Sequence, residues 1–318
     1  MAALCSTARR ILTFLSSKER AAVKTDLEQF IEDEVLIQRS TAVPVKASLI
    51  ERLVVRQYSV KKLLPNPEDE FCISDIGPNM NIVSKYVSQF VENMKKNLPI
   101  MDEPLYVQKI RPSGYMILNG HHRWLAASRL SIKKVPVCVV NGIYEGDVRR
   151  ILEKSTHEKR ATIDLDEVVF TLSAADKPER RRGIPLYGLA KKRLRYGIPS
   201  LFSHLKLKGY DIWVYSSRYY SVDDIRRFFA KYGVTVDVII TGMKKLSGKP
   251  TAQKKKMDEL IANKYKMTLH IDRDLLVATY SHAGDFREEA VECEPDVWSA
   301  NVCDALERIE NDEKGKLS

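Results

Sequence analysis

The sequence of 318 residues is long enough for about two domains. Apolar residues make up 44% and charged residues 30% of it, a composition that excludes fibrous and broadly disordered proteins. The five cysteines include no C-x-x-C pair, which argues against a disulfide framework and a zinc knuckle and favours a reducing compartment. No run approaches the roughly 18 apolar residues that span a bilayer, so we expect a cytoplasmic protein without a membrane partner.

The N-terminal 52 residues are predicted to form a helical segment of one or two amphipathic helices. The first residues contain no acid before Glu19 and carry Arg9 and Arg10 beside an apolar face. An organelle presequence has the same character, but the acids that follow over residues 19–39 favour a surface helix.

Residues 53–141 predict a compact α+β domain. A strand-like stretch and a turn-rich segment lead into a helix, and two strands separated by the turn RPSG follow. The second strand runs directly into the helical stretch HHRWLAASRL, and a further strand ends the domain. Residues 142–160 are polar and predict a linker helix.

Residues 161–318 predict an α/β domain. The apolar stretches TIDLDEVVF, DIWVYSS, VDVIIT and TLHID alternate with helical stretches of ten or more residues. This alternation is typical of a parallel sheet wound by right-handed crossovers. Ligands of such sheets bind beyond the carboxyl ends of the strands.

Positive charge is concentrated in the middle of the chain. The formal charge is +10, from 52 lysines and arginines against 42 aspartates and glutamates. Residues 171–266 hold 22 basic and 8 acidic residues, whereas residues 267–318 hold 5 basic and 13 acidic ones. A positive surface attracts polyanions, which favours a phosphate-rich substrate, although charge alone does not separate nucleic acid from nucleotides.

Polar side chains fall at the predicted strand and helix ends of the α/β domain, at Asp164, Asp166, Ser216, Lys249 and Asp272. One carboxylate can attack phosphorus, and a second one two residues on can protonate the leaving oxygen and then activate water. Because the carboxylates repel a phosphate, a Mg²⁺ ion bound by oxygen ligands is needed to offset them. A hydroxyl and an ammonium group can hold the other phosphate oxygens.

This order of motifs resembles the haloacid dehalogenase (HAD) superfamily of Mg²⁺-dependent phosphohydrolases. The first motif, D-x-D-x-[TV], is present as DLDEV, and the resemblance implies Asp164 as nucleophile and Asp166 as general acid/base. The second motif, a strand ending in Ser or Thr, is present as WVYSS and gives Ser216. The implied fold is a HAD-like Rossmannoid parallel sheet.

The third motif of the superfamily, a lysine at a helix start, is present as GKP and gives Lys249, with Lys244 and Lys245 as alternatives. The spacing between the motifs leaves no room for a large cap domain, although residues 177–197 could form a small helical insert. Members without a large cap tend to act on bulky substrates. The lack of room for a large cap and the positive charge of residues 171–266 together favour a nucleotide or a nucleic-acid end, rather than a small sugar phosphate, as the substrate.

The fourth motif, an acidic pair after a strand, is present as HIDRD. The resemblance implies that Asp272 binds Mg²⁺ beside Asp164 and the carbonyl oxygen of Asp166. Here the usual adjacent acidic pair is replaced by Asp-Arg-Asp, so Asp274 is the second candidate ligand of this motif.

A second phosphate site is predicted where a strand, Gly120 and the triplet His121-His122-Arg123 lead into a helix. The first turn of a helix attracts anions, and Arg123 can add a bidentate contact. The string LNGHHRWLAASRLSIKKVPVCVV resembles the ParB/sulfiredoxin superfamily, whose Gly-x-x-Arg box holds nucleotide phosphates. Within that superfamily it looks closest to free-serine kinases, which carry D-G-H-H-R-W.

The resemblance to serine kinases implies a catalytic glutamate upstream, for which Glu68 is the candidate and Glu70 the reserve. Asn119 replaces the aspartate of D-G-H-H-R, which removes a carboxylate that could bind Mg²⁺ or transfer a proton. Binding of ATP, ADP or another nucleotide is therefore favoured over kinase activity at this site.

Two functions follow from these patterns. The first is a two-domain phosphoryl-transfer enzyme, in which a HAD-type phosphatase acts on a nucleotide, a nucleic-acid end or a small phosphomonoester such as phosphoserine. The second is a nucleic-acid-binding or regulatory protein in which both folds only bind phosphates. If phosphate contacts dominate the binding of nucleic acid by such a regulatory protein, its affinity falls steeply as the salt concentration rises.

Overall fold

The computed structural model describes residues 42–67, 69–73, 76–143, 145–173, 176–180, 189, 191–242, 252–281 and 286–317. They form two compact units. The described part of the first unit covers residues 42–48 and 54–139, and that of the second covers residues 49–53 and 140–317. The predicted N-terminal helical segment lies, up to residue 41, outside the described residues.

The elements up to residue 139 include the predicted strands and helices in the predicted order, together with the short strands β1 and β3, which the sequence patterns did not indicate. They are β1 (Val43–Pro44), α1 (Leu49–Leu53), β2 (Arg56–Ser59), β3 (Leu63–Leu64), α2 (Met80–Lys95), β4 (Leu105–Arg111), β5 (Tyr115–Asn119), α3 (His121–Arg129) and β6 (Lys134–Val139), with 3₁₀ turns at Val60–Lys62 and Glu70–Cys72. All except α1 belong to the first unit.

The first unit has a mixed sheet in the order β2-β6-β4-β5-β3, and β1 pairs with β4. Strands β4 and β5 are an antiparallel pair joined by the predicted turn, whereas β6 runs parallel to β4 and β3 runs parallel to β5. The α+β pattern expected over residues 53–141 is therefore confirmed in its order of strands and helices.

The core of the first unit lies between this sheet and the two long helices. Leu105 and Ile117 of the sheet are fully buried, as are Val83 of α2 and Leu125 of α3. Burial of each such side chain stabilises the fold by roughly 1.5–3 kcal/mol. Helix α2 begins where Asn79 accepts hydrogen bonds through Oδ1 from the backbone of its first turn.

The second unit alternates strands and helices. Its elements after α1 are α4 (Glu145–Lys154), β7 (Lys159–Asp164), a single π turn (Leu165–Val169), α5 (Ile198–Leu207), β8 (Tyr210–Tyr215), α6 (Val222–Ala230), β9 (Val238–Ile240), α7 (Ala252–Lys264), β10 (Met267–Ile271), β11 (Leu275–Tyr280), β12 (Phe286–Ala290) and α8 (Trp298–Leu317).

The sheet of the second unit has the order β12-β11-β10-β7-β8-β9. Strands β10, β7, β8 and β9 are parallel, and this central part agrees with the parallel sheet that the sequence predicts. The chain moves outward from β7 through β8 to β9 and then returns to the other side of β7 as β10. The strand order therefore reverses between β7 and β10, and ligands of open α/β sheets bind at such a reversal.

Two features of the second unit depart from the sequence-based expectations. Strands β11 and β12 extend the sheet in antiparallel fashion, and the sequence patterns did not indicate them. Helix α4 lies in the predicted linker, yet Val148 and Leu152 are buried in one hydrophobic cluster with Trp213 of β8. The apolar face of this helix therefore belongs to the core of the second unit.

The chain between β7 and α5 pairs with itself by single bridges. Phe170 pairs with Leu194, and Pro178 pairs with Arg195, both in antiparallel fashion. The described residues at 176–180 and 191–197 contain no helix that would form the expected insert. Across the described part of the chain, no helix is long and apolar enough to cross a membrane.

Candidate functional site

Two aspartates follow the last paired residues of β7 and β10, where the strand order reverses. Ile163 pairs with Ile271 at the end of the parallel ladder between β7 and β10, and Asp164 and Asp272 are the next residues of each strand. Adjacent strands are about 4.8 Å apart, and residues at matching positions leave the sheet on the same face. The register therefore brings these two aspartates together from opposite ends of the unit.

Asp164 shapes the turn that follows it. Its Oδ1 accepts hydrogen bonds from the backbone N–H groups of Asp166 (2.7 Å) and Glu167 (2.8 Å), which fixes the start of the π turn. Its Oδ2 accepts no hydrogen bond from any described residue. Oδ1 of Asp164, the predicted nucleophile, thus accepts hydrogen bonds from the backbone, while Oδ2 forms none with the described residues.

Asp166 is held through both of its carboxylate oxygens. The Ser216 hydroxyl donates to Oδ2 at 2.5 Å, and the Tyr220 hydroxyl donates to Oδ1 at 2.8 Å. Burial, together with the hydrogen bond to this carboxylate, raises the pKa of Tyr220 well above its ordinary value of 10, so the phenol remains a donor. The Arg218 Nε atom lies 3.7 Å from Oδ1 of Asp166.

Asp272 begins the turn between β10 and β11. Its Oδ1 accepts a hydrogen bond from the backbone N–H of Arg273 (2.7 Å), and its Oδ2 accepts none from the described residues. Asp274 is an exposed residue of the same turn. Two of the four predicted metal ligands, Asp164 and Asp272, thus each have one carboxylate oxygen, Oδ2, that accepts no hydrogen bond from the described residues.

Among the described side chains, no three or more of the His, Cys, Asp and Glu residues cluster closely enough to hold a metal ion. A site built from all four predicted aspartates is therefore not assembled in this arrangement. A smaller set, Asp164 and Asp272 with the carbonyl oxygen of Asp166, still offers the oxygen donors that suit Mg²⁺. The metal site remains a prediction in this smaller form.

The predicted lysine, Lys249, and its alternatives Lys244 and Lys245 lie outside the described residues. Ser216 was expected to hold a phosphate oxygen. It is almost fully buried, and its hydroxyl instead connects the end of β8 to Asp166.

The sequence patterns did not reveal Tyr220, Asp176 or the role of Arg273. The Arg273 Nη2 atom donates to Oδ1 of Asp176 at 2.7 Å, while the backbone N–H groups of Leu172 and Ser173 donate to Oδ2. Burial opposes the charge of Asp176, but these three partners outweigh it and lower the pKa of that carboxyl. No sequence signal links residues 97 positions apart, so only the fold reveals this pair.

The second predicted site lies where β5 leads into α3. Gly120 precedes the helix with φ of +100°, a left-handed conformation that favours glycine. A Cβ atom there would lie 2.5 Å from Cδ2 of Leu105 and 3.1 Å from Nη2 of Arg123. Glycine is therefore required both by the backbone conformation and by the close approach of Arg123.

Two histidines at the start of α3 accept hydrogen bonds from the backbone of the chain that precedes them. Nε2 of His121 accepts a hydrogen bond from the backbone of Asn66 (3.0 Å), and Nε2 of His122 accepts one from Asn79 (3.1 Å). Buried Phe71 packs against both rings, with centroids 5.3 Å away in each case. The imidazoles therefore act as acceptors that position this loop.

Glu68, the predicted catalytic glutamate, lies outside the described residues. Its reserve, Glu70, begins the 3₁₀ turn Glu70–Cys72. Asp69, between them, caps that turn and places Oδ2 3.5 Å from Nδ1 of His121. An acidic residue therefore does lie beside the start of α3.

Arg123 already forms contacts within the protein. Its Nη1 atom donates to the carbonyl oxygen of Glu103 at 2.7 Å, and only 8% of the residue is exposed. Its Nη2 atom lies 3.5 Å from Oδ1 of Asn119. Arg123 thus supports the loop under Gly120, and its expected contact with a phosphate stays a prediction.

Residues 72–155 match the family model of the ParB N-terminal domain. The match covers about a quarter of the chain and includes the whole of α3. The protein is therefore an α/β protein with a ParB-like domain in its N-terminal half. The match ends before β7, and the resemblance of the C-terminal half to the HAD superfamily stays a prediction.

Solved structures share only distant likeness with this chain. The chromosome-partitioning protein ParB from Caulobacter crescentus, complexed with CTP-γ-S, is 22% identical with a TM-score of 0.23, and the match covers 31% of this chain and 49% of that one. A conserved hypothetical protein from Pyrococcus furiosus is also 22% identical, with a TM-score of 0.22 over 35% of this chain and 46% of its own.

A free serine kinase variant in complex with AMP is 15% identical with a TM-score of 0.23, over 79% of this chain and 95% of its own. Likeness at these TM-scores does not establish a shared overall fold. The chain spans about half the length of the first two of these structures. No curated protein matches the chain.

Proposed function

We propose that the second unit is a Mg²⁺-dependent phosphomonoester hydrolase of the HAD type. The observation that supports this proposal is the register of β7 and β10, whose last paired residues, Ile163 and Ile271, directly precede Asp164 and Asp272 where the strand order reverses. Each of the two carboxylates has an oxygen without a partner among the described residues. A pair of such carboxylates suits a divalent cation, and the charge of the cation then offsets the repulsion between the carboxylates and a phosphate.

Asp164, Asp272 and the carbonyl oxygen of Asp166 would hold Mg²⁺. When bound, the ion supplies positive charge that offsets the carboxylates and the phosphate. The remaining chemistry belongs to the side chains of this chain.

A carboxylate oxygen of Asp164 attacks phosphorus, and the bond from phosphorus to the leaving oxygen breaks. Asp166 gives its proton to that oxygen, which leaves as an alcohol. Asp166 then takes a proton from water, whose oxygen attacks the aspartyl-phosphate and releases inorganic phosphate and free Asp164.

The bonds around Asp166 suit this double role. In its ionised form the carboxylate accepts from the hydroxyls of Ser216 and Tyr220, which is the form needed to activate water. In its protonated form one of these hydroxyls turns and accepts instead, because a hydroxyl can do either. Both states are thus satisfied without moving the backbone.

The substrate class follows from charge and spacing. The middle of the chain is strongly basic, and no large cap separates the motifs, so the site would accept a nucleotide or the phosphorylated end of a nucleic acid. Phosphoserine is the smaller alternative.

The test is release of phosphate by the full-length protein. A generic aryl phosphate, nucleotides, 3′- and 5′-phosphorylated oligonucleotides and phosphoserine are compared with and without Mg²⁺. We expect Asp164→Asn to lose at least about a hundredfold in rate, because the nucleophile is removed. Asp304→Asn, an exposed aspartate of α8, is the control and should match the wild type. Equal Mg²⁺-dependent activity in Asp164→Asn would refute the proposal.

For the first unit we propose binding of a nucleotide phosphate at the start of α3. Support comes from the match to the ParB N-terminal domain and from the helix start, where the dipole favours an anion and two histidines hold a loop alongside. Calorimetric titration of the full-length protein with ATP, ADP and CTP tests this binding. Arg123→Ala should weaken it at least about tenfold, whereas Arg111→Ala, an exposed control on β4, should not.

Transfer of phosphate at this site would need an acid, for which Glu68 is the candidate and Glu70 the reserve. Oδ2 of Asp69, between them, lies 3.5 Å from Nδ1 of His121. Formation of phosphoserine from serine and a nucleotide tests that finer function. If nucleotides bind without transfer and the second unit does not hydrolyse phosphate, the protein is the regulatory phosphate-binding protein of the second hypothesis. Its affinity for oligonucleotides should then fall steeply with salt.

A further inference from the structure

A buried guanidinium in the second unit has no hydrogen-bond acceptor among the described residues. Only 2% of Arg195 is exposed, and Nε, Nη1 and Nη2 all lack a hydrogen-bond partner in the described structure. An arginine side chain carries five N–H donors and keeps its charge at neutral pH. Buried charges are ordinarily paired, because the lost hydration is otherwise not replaced.

The ring of Trp298 offsets part of this loss. The guanidinium carbon lies 4.0 Å from the ring centroid, and Trp298 itself is fully buried. This stacking uses the face of the guanidinium. The donors in the plane of the group remain unsatisfied, so they still call for oxygen acceptors.

The charges nearby do not supply those acceptors. The Asp176 carboxylate acts on Arg195 electrostatically, but its oxygens are taken by Arg273 and by two backbone N–H groups. Two guanidiniums, those of Arg195 and Arg273, therefore share one carboxylate, which leaves an excess positive charge. Burial lowers the pKa of Arg195, and the charge of Arg273 lowers it further, as expected for a cation that lacks an anion.

The position of this pair links it to the sheet edge. The backbone N–H of Arg195 donates to the carbonyl oxygen of Val169, the last residue of the turn that Asp164 begins. Arg273 directly follows Asp272, and its carbonyl oxygen accepts a hydrogen bond from Nε1 of Trp298 at 2.7 Å. The same tryptophan therefore contacts both arginines.

We propose that Arg195 and Arg273 bind an oxyanion, a carboxylate or a second phosphate of the substrate, next to the phosphate that Asp164 attacks. The planar guanidinium suits two oxygens of one such group. The substrate would then carry two separate acidic groups. That last statement rests on the proposed phosphatase function, whereas the anion site itself does not.

Thermal unfolding of the full-length protein without Mg²⁺ tests the anion site. Sodium sulfate, as a stable mimic of phosphate, and sodium acetate are each compared with sodium chloride at equal ionic strength. We expect one of them to raise the unfolding temperature of the wild type saturably, by about 3 °C or more. The salt that does so distinguishes a phosphate from a carboxylate as the natural group.

Arg195→Met, which keeps much of the length over Trp298, should lose this shift. Arg308→Met, an exposed arginine of α8, should retain it. If Arg195→Met does not fold, Arg195→Lys replaces it and should lose at least half of the shift, because an ammonium lacks the planar fork.

Asp164→Asn separates the two proposals, since it should retain the shift while losing hydrolysis. Three results would each overturn the anion site: no shift beyond chloride in the wild type, a full shift in the Arg195 variant, or loss of the shift in Asp164→Asn. A shift that depends on Arg195 in a protein without phosphatase activity would leave the anion site in place and remove only the proposed reaction.

Discussion

The Ser216 hydroxyl lies 2.5 Å from Oδ2 of Asp166, and this contact joins the ends of two neighbouring parallel strands. Ser216 also accepts a hydrogen bond from the backbone N–H of Arg218, so one buried hydroxyl orders both the carboxylate and the loop after β8. The predicted acid/base residue is therefore positioned by a residue 50 places later in the chain.

Ser216→Ala should lower the free energy of unfolding by about 1–3 kcal/mol, because a partly buried carboxylate oxygen of Asp166 and the backbone N–H of Arg218 each lose a partner. Chemical denaturation measures this change. Ser217→Ala, at the exposed neighbour, should stay within about 0.5 kcal/mol of the wild type. Equal effects of the two substitutions would mean that the contact with Asp166 contributes nothing to the fold.

Tyr220→Phe removes the second hydroxyl on Asp166 while keeping the ring, which packs edge-on against Phe170 at 6.3 Å. We expect a loss of about 0.5–2 kcal/mol in the free energy of unfolding. The phosphatase rate should fall as well, because the carboxylate loses a fixed orientation. Tyr219→Phe, at the preceding residue, is the matched control for the rate. A Tyr220→Phe variant with wild-type stability and rate would contradict this prediction.

Gly120→Ala should destabilise the first unit by about 1–3 kcal/mol. The added Cβ meets the Leu105 and Arg123 side chains, and φ of +100° strains any residue except glycine. Gly146→Ala in α4 is the control, since nothing lies within 4 Å of its Cβ, and it should leave stability unchanged or raise it by up to about 1 kcal/mol. Thermal unfolding of the two variants, compared with the wild type, measures these changes in stability.

The lowered pKa of Glu310 leads us to expect that the free energy of unfolding depends on pH. Burial opposes its charge, but Lys159 and Lys208 with the hydroxyl of Tyr210 outweigh that effect and lower the pKa of Glu310 below its ordinary 4.5. A carboxyl whose pKa is lowered by folding stabilises the fold above its unfolded-state pKa, and this stabilisation is lost as the pH falls through the folded-state pKa.

Glu310→Gln should therefore be less stable than the wild type by about 1–3 kcal/mol at pH 7, and the difference should shrink as the pH falls below 4.5. Denaturation curves from pH 7 to pH 3 measure it. Glu307→Gln removes an exposed partner of Lys208 and should cost less than about 1 kcal/mol at every pH. A constant difference for Glu310→Gln would show that packing, and not charge, is what this residue contributes.

Local patterns were sufficient for much of the fold. The strand that leads to Asp164, the glycine before α3 and the alternation of strands and helices after residue 158 could all be predicted, because period and turn chemistry are encoded within a few residues, although the sequence pattern extended this strand over the turn at Leu165–Val169. The added strands β11 and β12 were missed, since short antiparallel strands at the edge of a sheet carry a weaker signal.

The sequence by itself determined the order of the central strands and helices of the second unit along the chain. Only the tertiary structure decided that β10 returns beside β7, that Tyr220 lies on Asp166, that Arg273 pairs with Asp176, and that Arg195 is buried without an acceptor. Strand order and contacts between distant residues depend on which buried faces pack together. That choice is made by the whole core at once, so no short stretch of sequence contains it.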